Sequence, residues 1–278
     1  MSAPTQSGPA PGPTPHAPRR FDAVVCDIDG CLGPESHEPL DAHALAALAD
    51  YNRAAHERRD RPVITLCSGR PQPFVEALSR LLGNTSVPCV CENGVWVYDP
   101  RDNGFHRDPA ITADHLHAVR DAQEWIEREW VPRGAVIQPG KAASISVWHA
   151  DTAMLKGAIT DSIRERSARH GWPLRVSATV AWINCDLAHV HKGTGIDRVV
   201  ALTGLSRERL AGVGDSPSDR FIAQRVAFFA APSNVHPDLR DACHLVAPEA
   251  EIAGVMTILR GMISGSSSGG QSSAGGRA

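Results

Sequence analysis

Asp27-Ile28-Asp29-Gly30 follows directly on the apolar run Ala23-Val24-Val25-Cys26. A short unbroken run rich in Val predicts a strand covered on both faces, as in a parallel α/β sheet. Carboxylates at i and i+2 leave such a strand on the same side, and the glycine lets the chain turn sharply beyond them. In open α/β sheets ligands gather at the carboxyl ends of the strands. Two like charges held this close are costly to ionise together unless a cation or hydrogen bonds compensate. The pair therefore predicts a metal-assisted site in which one carboxylate attacks and the other moves protons; the plainer reading is a solvated acidic turn.

Further polar groups occur at comparable junctions. Pro62–Cys67 reads as a second buried strand running into Ser68-Gly69-Arg70, and Cys89–Cys91 as a third, ending in Glu92-Asn93-Gly94. Lys192 precedes a predicted helix, and Asp215 follows the predicted strand Leu210–Val213, with Asp219 one turn on. An attacking group, an acid for the leaving oxygen and cations for the equatorial oxygens are the parts that phosphate-ester cleavage needs. Mg2+ takes carboxylates plus waters and phosphate, so Asp27 and Asp215 with a main-chain carbonyl suffice to hold it. Each residue also has a plainer reading. Ser216, Pro217 and Asp219 form an ordinary helix-start signal, Ser68 caps a helix near Pro71, Lys192 is a solvated helix-start lysine, and Arg70 makes a surface ion pair. His149, His189 and His191 follow no zinc-protease spacing and read as satisfied or exposed histidines; Trp125, Trp130 and Trp148 read as core.

The elements around these groups alternate strand and helix, with helices predicted at Asp41–Arg58 and Pro73–Leu82, the latter carrying Phe74, Ala77, Leu78 and Leu81 on one side. That alternation predicts a Rossmann-like parallel sheet with right-handed crossovers. From about Tyr98 the rhythm changes: a helix at Ala113–Trp130, strands near Ala135–Gln138 and Ser144–Trp148, a helix at Asp151–His170, and strands at Leu174–Ser177 and Ala181–Cys185. The parallel pattern then resumes with a helix at Gly193–Thr203 and helices near Pro217 and Val255. The expected organisation is an α/β core from 21–97 and 187–263, split around an α+β insert at 98–186. Low-complexity tails poor in hydrophobes, expected to be disordered, flank it at 1–20 and 264–278. Most connections run to about six residues, so an insert of this size is a domain, and Lys141, just before its strand at Ala142–Trp148, is the insert cation best placed to meet an anionic substrate. A solvated strand-end lysine is the plainer reading.

The chain has 278 residues, is 42% hydrophobic and carries a net charge of −3, so no basic field invites nucleic acid or an anionic membrane surface. No run is long enough to span a bilayer, and the Pro-rich start lacks the apolar stretch of a secretory signal. Seven cysteines without disulfide or zinc spacing read as reduced thiols of a cytoplasmic protein.

In these four motifs the chain resembles the haloacid dehalogenase superfamily: DxDG at Asp27–Gly30, the Ser of Ser68-Gly69-Arg70, Lys192, and GDxxxD at Gly214–Asp219, in order along the chain. An insert between the second and third motifs, with Glu92-Asn93-Gly94 and Lys192-Gly193, resembles the type IIB, C2-capped phosphatases. These include sucrose-phosphate, mannosyl-phosphoglycerate, archaeal phosphoglycolate and Cof-like sugar phosphatases. The resemblance implies a Mg2+-dependent phosphatase acting on a small phosphorylated metabolite. Asp27 is then the nucleophile, Asp29 the acid and base and a main-chain metal ligand, Ser68, Gly69, Arg70 and Lys192 phosphate or substrate ligands, Asp215 a metal ligand and Asp219 its support. Cys31 stands where the family usually has Thr. A phosphotransferase of the same superfamily and a non-enzymatic receiver-like module are the alternatives.

Overall fold

The computed structural model describes residues 19–263, apart from Ser36 and Val180. The expected tail at 264–278 lies outside that span, and so does the one at 1–20 except for Arg19 and Arg20. The main sheet is parallel, in the order β12-β11-β10-β1-β2. Strand β1 (Ala23–Cys26) lies inside it, between β10 and β2, buried on every residue. Helix α1 (Ala42–Arg58) starts where Asp41 caps the Ala44 N–H at 3.0 Å, and leads to β2 (Val63–Leu66). Helix α2 (Gln72–Leu81) buries Val75, Leu78 and Ser79. Its inward face is offset from the predicted one, since Phe74 and Leu81 are exposed and Phe74 lies under the Arg70 guanidinium instead.

The third predicted strand, β3 (Cys89–Cys91), leaves the main sheet after one parallel bridge from Val90 to Cys67. It pairs antiparallel with β4 (Trp96–Asp99), which pairs with β5 (Gly104–Arg107). The sequence reading has no hairpin here, because its Asp, Asn and Gly cluster reads as loop.

The insert is a four-stranded antiparallel sheet, β6-β7-β9-β8, with helices on one face. Its elements are α3 (Ala113–Trp130), β6 (Val136–Ile137), β7 (Ser144–Trp148), α4 (Thr152–Met154), which runs through a π-helical turn into α5 (Thr160–His170), β8 (Leu174–Ala178) and β9 (Trp182–Leu187). Ile145, Val147, Ile183 and Cys185 pack against Val119, Ile126, Trp130, Ile159 and Ile163. Side chains alternate across a strand, so Ser146, Trp182 and Asn184 occupy the opposite face. Trp148 pairs with Trp182 and stays half-buried outside that core, unlike the predicted core role.

The chain returns through α6 (Lys192–Thr203) to β10 (Leu210–Val213), α7 (Arg220–Ala223), β11 (Phe228–Ala231), β12 (Leu245–Val246) and α8 (Glu251–Gly261). The reading lacks β11, four residues of Phe and Ala, and β12, only two residues long. Among the described residues no helix is long and apolar enough to cross a membrane.

Candidate active site

Register builds the site. Cys26 of β1 lies beside Val213 of β10 and Leu66 of β2. One step past these three strand ends stand Asp27, Gly214-Asp215 and Cys67-Ser68, side by side. Gly30 turns the chain with φ +78°, and a Cβ there would lie 2.1 Å from an Asp215 oxygen. Any other residue would push Asp215 aside.

Lys192 opens α6, where a cation is unfavourable against the helix dipole. Here two carboxylates outweigh that cost: its Nζ lies 2.7 Å from Asp27 Oδ2 and 2.6 Å from Asp219 Oδ1. Burial alone would discharge the amine, yet Asp219 and Asp27 drive its pKa well above the usual lysine range. The other Asp27 oxygen accepts the Ile28 N–H at 2.8 Å. Asp219, fully buried, accepts with Oδ2 from the Asp215 and Ser216 N–H groups at 3.0 and 2.9 Å and from Ser216 Oγ at 3.0 Å. The capping box at Ser216 and the grip on Lys192 are therefore the two ends of one carboxylate, and the two readings of Asp219 coexist.

Ligand oxygens of Asp27, Asp215 and Asp219 lie within 4.8 Å of one another. Three carboxylates against the single Lys192 charge leave two negative charges uncompensated. Burial, then the neighbouring Asp219, pushes the Asp27 pKa well above the carboxylate range. Burial first and Asp219 second push Asp215 up to about 8. Asp215 is met by weak donors only, the Cys31 thiol at 3.8 Å and Asn234 Nδ2 at 3.3 Å. Hard, anionic, under-compensated oxygens fit a divalent cation of the Mg2+ type. Asp219 carries the Lys192 ammonium and three further donors, whereas Asp215 meets weak donors only and Asp27 Oδ1 a single N–H, so Asp27 and Asp215 are the side chains best able to hold it.

Asp29 faces the same cavity but is held by Arg70, whose Nε lies 2.8 Å from Oδ2 and whose Nη2 lies 2.5 Å from Oδ1. Arg70 thus makes an ion pair inside the site, not at the surface. Ser68 is buried and accepts the Arg70 N–H at 3.2 Å; α2 has no side-chain cap, so the capping reading of Ser68 fails. Gly69 packs against Asn93. His191 caps α6 through the Thr194 N–H at 3.2 Å and stacks on Phe221.

The open face of the insert sheet covers these groups. Gln138, Lys141, Ser146, Thr179, Trp182 and Asn184 line one small cavity, of about 70 Å³, with Asp27, Asp29, Ser68, Gly69, Arg70 and Lys192. Lys141 sits in the turn before β7, donates to Ser146 Oγ, and Ser146 donates to Asn184. Burial lowers its pKa, opposed by Asp186 and Glu92. Sequence reasoning missed Ser146, Asn184 and Gln138. The available signal was alternation: Ser146 is a polar residue between Ile145 and Val147, on the face that a helix-covered sheet leaves open.

No family model matches the chain. It is 25% identical over 237 residues to the phosphoglycolate phosphatase of Halorubrum lacusprofundi, covering 85% of this chain and 95% of that one. The phosphoglycolate phosphatase of Methanothermobacter thermautotrophicus is 24% identical over 241 residues, covering 86% and 97%. The sucrose-phosphatase structure from Synechocystis superposes with a TM-score of 0.62 at 18% identity, over 87% of this chain and 98% of that one. A haloacid dehalogenase-like hydrolase from Bacteroides thetaiotaomicron gives 0.63 at 13%, over 87% and 99%. These neighbours share the architecture seen here, a parallel core with carboxylates at its strand ends and an antiparallel insert above them. The fold is that of haloacid dehalogenase-like hydrolases, and along most of its length the chain is similar to proteins named phosphoglycolate phosphatase.

Proposed function

We propose that the chain is a Mg2+-dependent phosphatase that hydrolyses a small phosphorylated acid of the phosphoglycolate kind through an aspartyl-phosphate on Asp27. The observation that carries this reading is the convergence of Asp27, Asp215 and Asp219 within 4.8 Å of one another, two of them on the buried Lys192 ammonium, which leaves two negative charges for a cation to balance once all three are ionised. Asp27, Asp215 and the main-chain carbonyl of Asp29 would hold the cation, whose charge, when bound, would offset that of the phosphate oxygens and the attacking carboxylate.

The remaining steps belong to the chain's own residues. Lys192 and the Ile28 N–H orient Asp27. An Asp27 oxygen bonds to phosphorus as the ester P–O bond breaks, and the leaving oxygen takes a proton from Asp29. Water then attacks phosphorus, Asp29 takes its proton, and phosphate leaves Asp27. Asp29 performs either transfer only after parting from Arg70, which holds both its oxygens. Ser68 and Lys192 hold the phosphoryl oxygens. The insert, placed at 98–186, acts as a cap that excludes water, and Lys141 receives the substrate's carboxylate.

Support for a small acid comes from the narrow cavity with its cationic Lys141 and from relatives named phosphoglycolate phosphatase. A phosphosugar is the second reading. It draws on a larger adjoining cavity of about 560 Å³, which shares Thr179, Asn184 and Lys192 with the site and extends past Arg175, His191 and Phe221. The test is phosphate release from a panel of phosphorylated acids and sugars, with Mg2+ and without any bisphosphate. Release fastest from 2-phosphoglycolate is expected. Transfer between substrates without free phosphate would replace the phosphatase by a phosphotransferase.

A further inference from the structure

Glu92-Asn93-Gly94 is the one motif that the chemistry above leaves unused. Its three residues stand in succession at φ +50°, +53° and +109°. For Glu and Asn that conformation is unfavourable and persists only where the surroundings impose it. Glu92 is 1% exposed, and among the described residues it forms no ion pair. A buried carboxylate needs donors in place of water. All of them come from the insert: the Ala142 N–H at 2.9 Å, the Ala143 N–H at 2.8 Å and Ser144 Oγ at 3.0 Å. These three residues directly follow Lys141. The Glu92 N–H in turn donates to the Arg70 carbonyl at 2.9 Å, and the Asn93 N–H to the Ser68 carbonyl at 3.0 Å. Asn93 Nδ2 holds Asp186, where the insert returns to the core, at 3.2 Å.

We infer that Glu92 is a positioning residue: its carboxylate seats the 142–144 segment and so fixes Lys141 over the phosphate site, in register with the Ser68–Arg70 loop. The inference rests on the reading of Lys141 as the receptor for the substrate's carboxylate. The Glu92 carboxylate lies under the insert, and its only route to the reacting atoms is through that segment on one side and through the loop backbone on the other. All three donors reach Oε1, and the Ala142 N–H also reaches Oε2 at 3.0 Å; a glutamine there makes the Oε1 contacts neutral and turns an NH2 group against the Ala142 N–H. The turn then loosens and Lys141 loses its place.

The test is a double-mutant cycle read as kcat/KM for 2-phosphoglycolate divided by kcat/KM for an aryl phosphate that has no second anion. Glu92→Gln should lower this ratio about ten-fold, the size of one lost charge-assisted contact, mainly by raising KM for the acid. In a Lys141→Ala background the same change should lower it no further, because both substitutions remove one interaction. Ser144→Ala, which removes one donor and leaves Glu92 in place, should act in the same direction with a smaller loss, and serves if Glu92→Gln does not fold. Equal losses on both substrates, or losses that add to those of Lys141→Ala, would overturn the inference while leaving the phosphatase reading intact. A wild-type protein that releases phosphate from neither ester would overturn the phosphatase reading itself.

Discussion

At Asp215 the balance of charge turns into a pH dependence. Its carboxyl titrates near 8 in the metal-free fold because burial and Asp219 oppose ionisation, whereas in the unfolded chain it titrates near 3.8. The folded state therefore holds a proton that the unfolded state gives up. That contribution to stability is complete below 3.8 and is lost as pH rises towards 8. Cation binding needs the ionised carboxylate, so Mg2+ displaces this proton and stabilises more as pH rises. Scanning calorimetry with Mg2+ and with chelator should show a larger Mg2+-induced rise in Tm at pH 8 than at pH 6. A rise independent of pH would separate Asp215 from the cation. At this scale the sequence was informative wherever a charged group ended a strand or opened a helix, as with Asp27, Asp29, Ser68, Lys192 and Asp215. The pairing of Asp29 with Arg70 was not legible, because nothing local says that a guanidinium 41 residues away points inward.

Among the elements, the turn after β10 shows how one side chain serves two ends. Asp219 gathers the Asp215 and Ser216 N–H groups with one oxygen and Lys192 with the other. Asp219→Asn removes a buried charge-assisted contact worth about 1.5–3 kcal/mol, so the denaturant midpoint should fall with the m-value unchanged. An unchanged midpoint would reduce Asp219 to an ordinary cap. Sequence periodicity located α3, β7 and β10 to the residue, since each has sharp polar borders around a regular apolar pattern. It misplaced the inward face of α2, where Val75 rather than Phe74 meets the core and Phe74 stacks under Arg70. It also kept β3 in the main sheet, because a buried apolar triplet carries no mark of the sheet it joins. The open face formed by Ser146 and Asn184 depends on β7 and β9 being neighbours, a long-range pairing that local pattern cannot show.

Over the whole molecule, the proposed function gives the phosphoryl chemistry to the core and discrimination to the insert, which meet at Glu92-Asn93 and at Asp186. Lys141→Ala should therefore shift the acid-to-aryl-phosphate ratio of kcat/KM about ten-fold towards the aryl ester, one charge-assisted contact's worth. Steady-state kinetics on the two esters measures it, and an unchanged ratio would leave Lys141 a structural partner of Ser146 alone. A parallel core with an inserted antiparallel unit was legible from the change in strand–helix rhythm along the chain. Their mutual placement was not, because it is set by hydrogen bonds such as Glu92 to Ala143 that join residues 51 apart. The central claim is a phosphoryl group carried on Asp27, and the most direct measurement is where that group is trapped. Asp29→Asn, which slows hydrolysis of the intermediate, should be mixed with a labelled aryl phosphate and Mg2+, quenched in acid and mapped by peptide. Label on the peptide containing Asp27, absent when Asp27→Asn is added, is the predicted result. Label elsewhere, or phosphate release by Asp27→Asn at the wild-type rate, would contradict it.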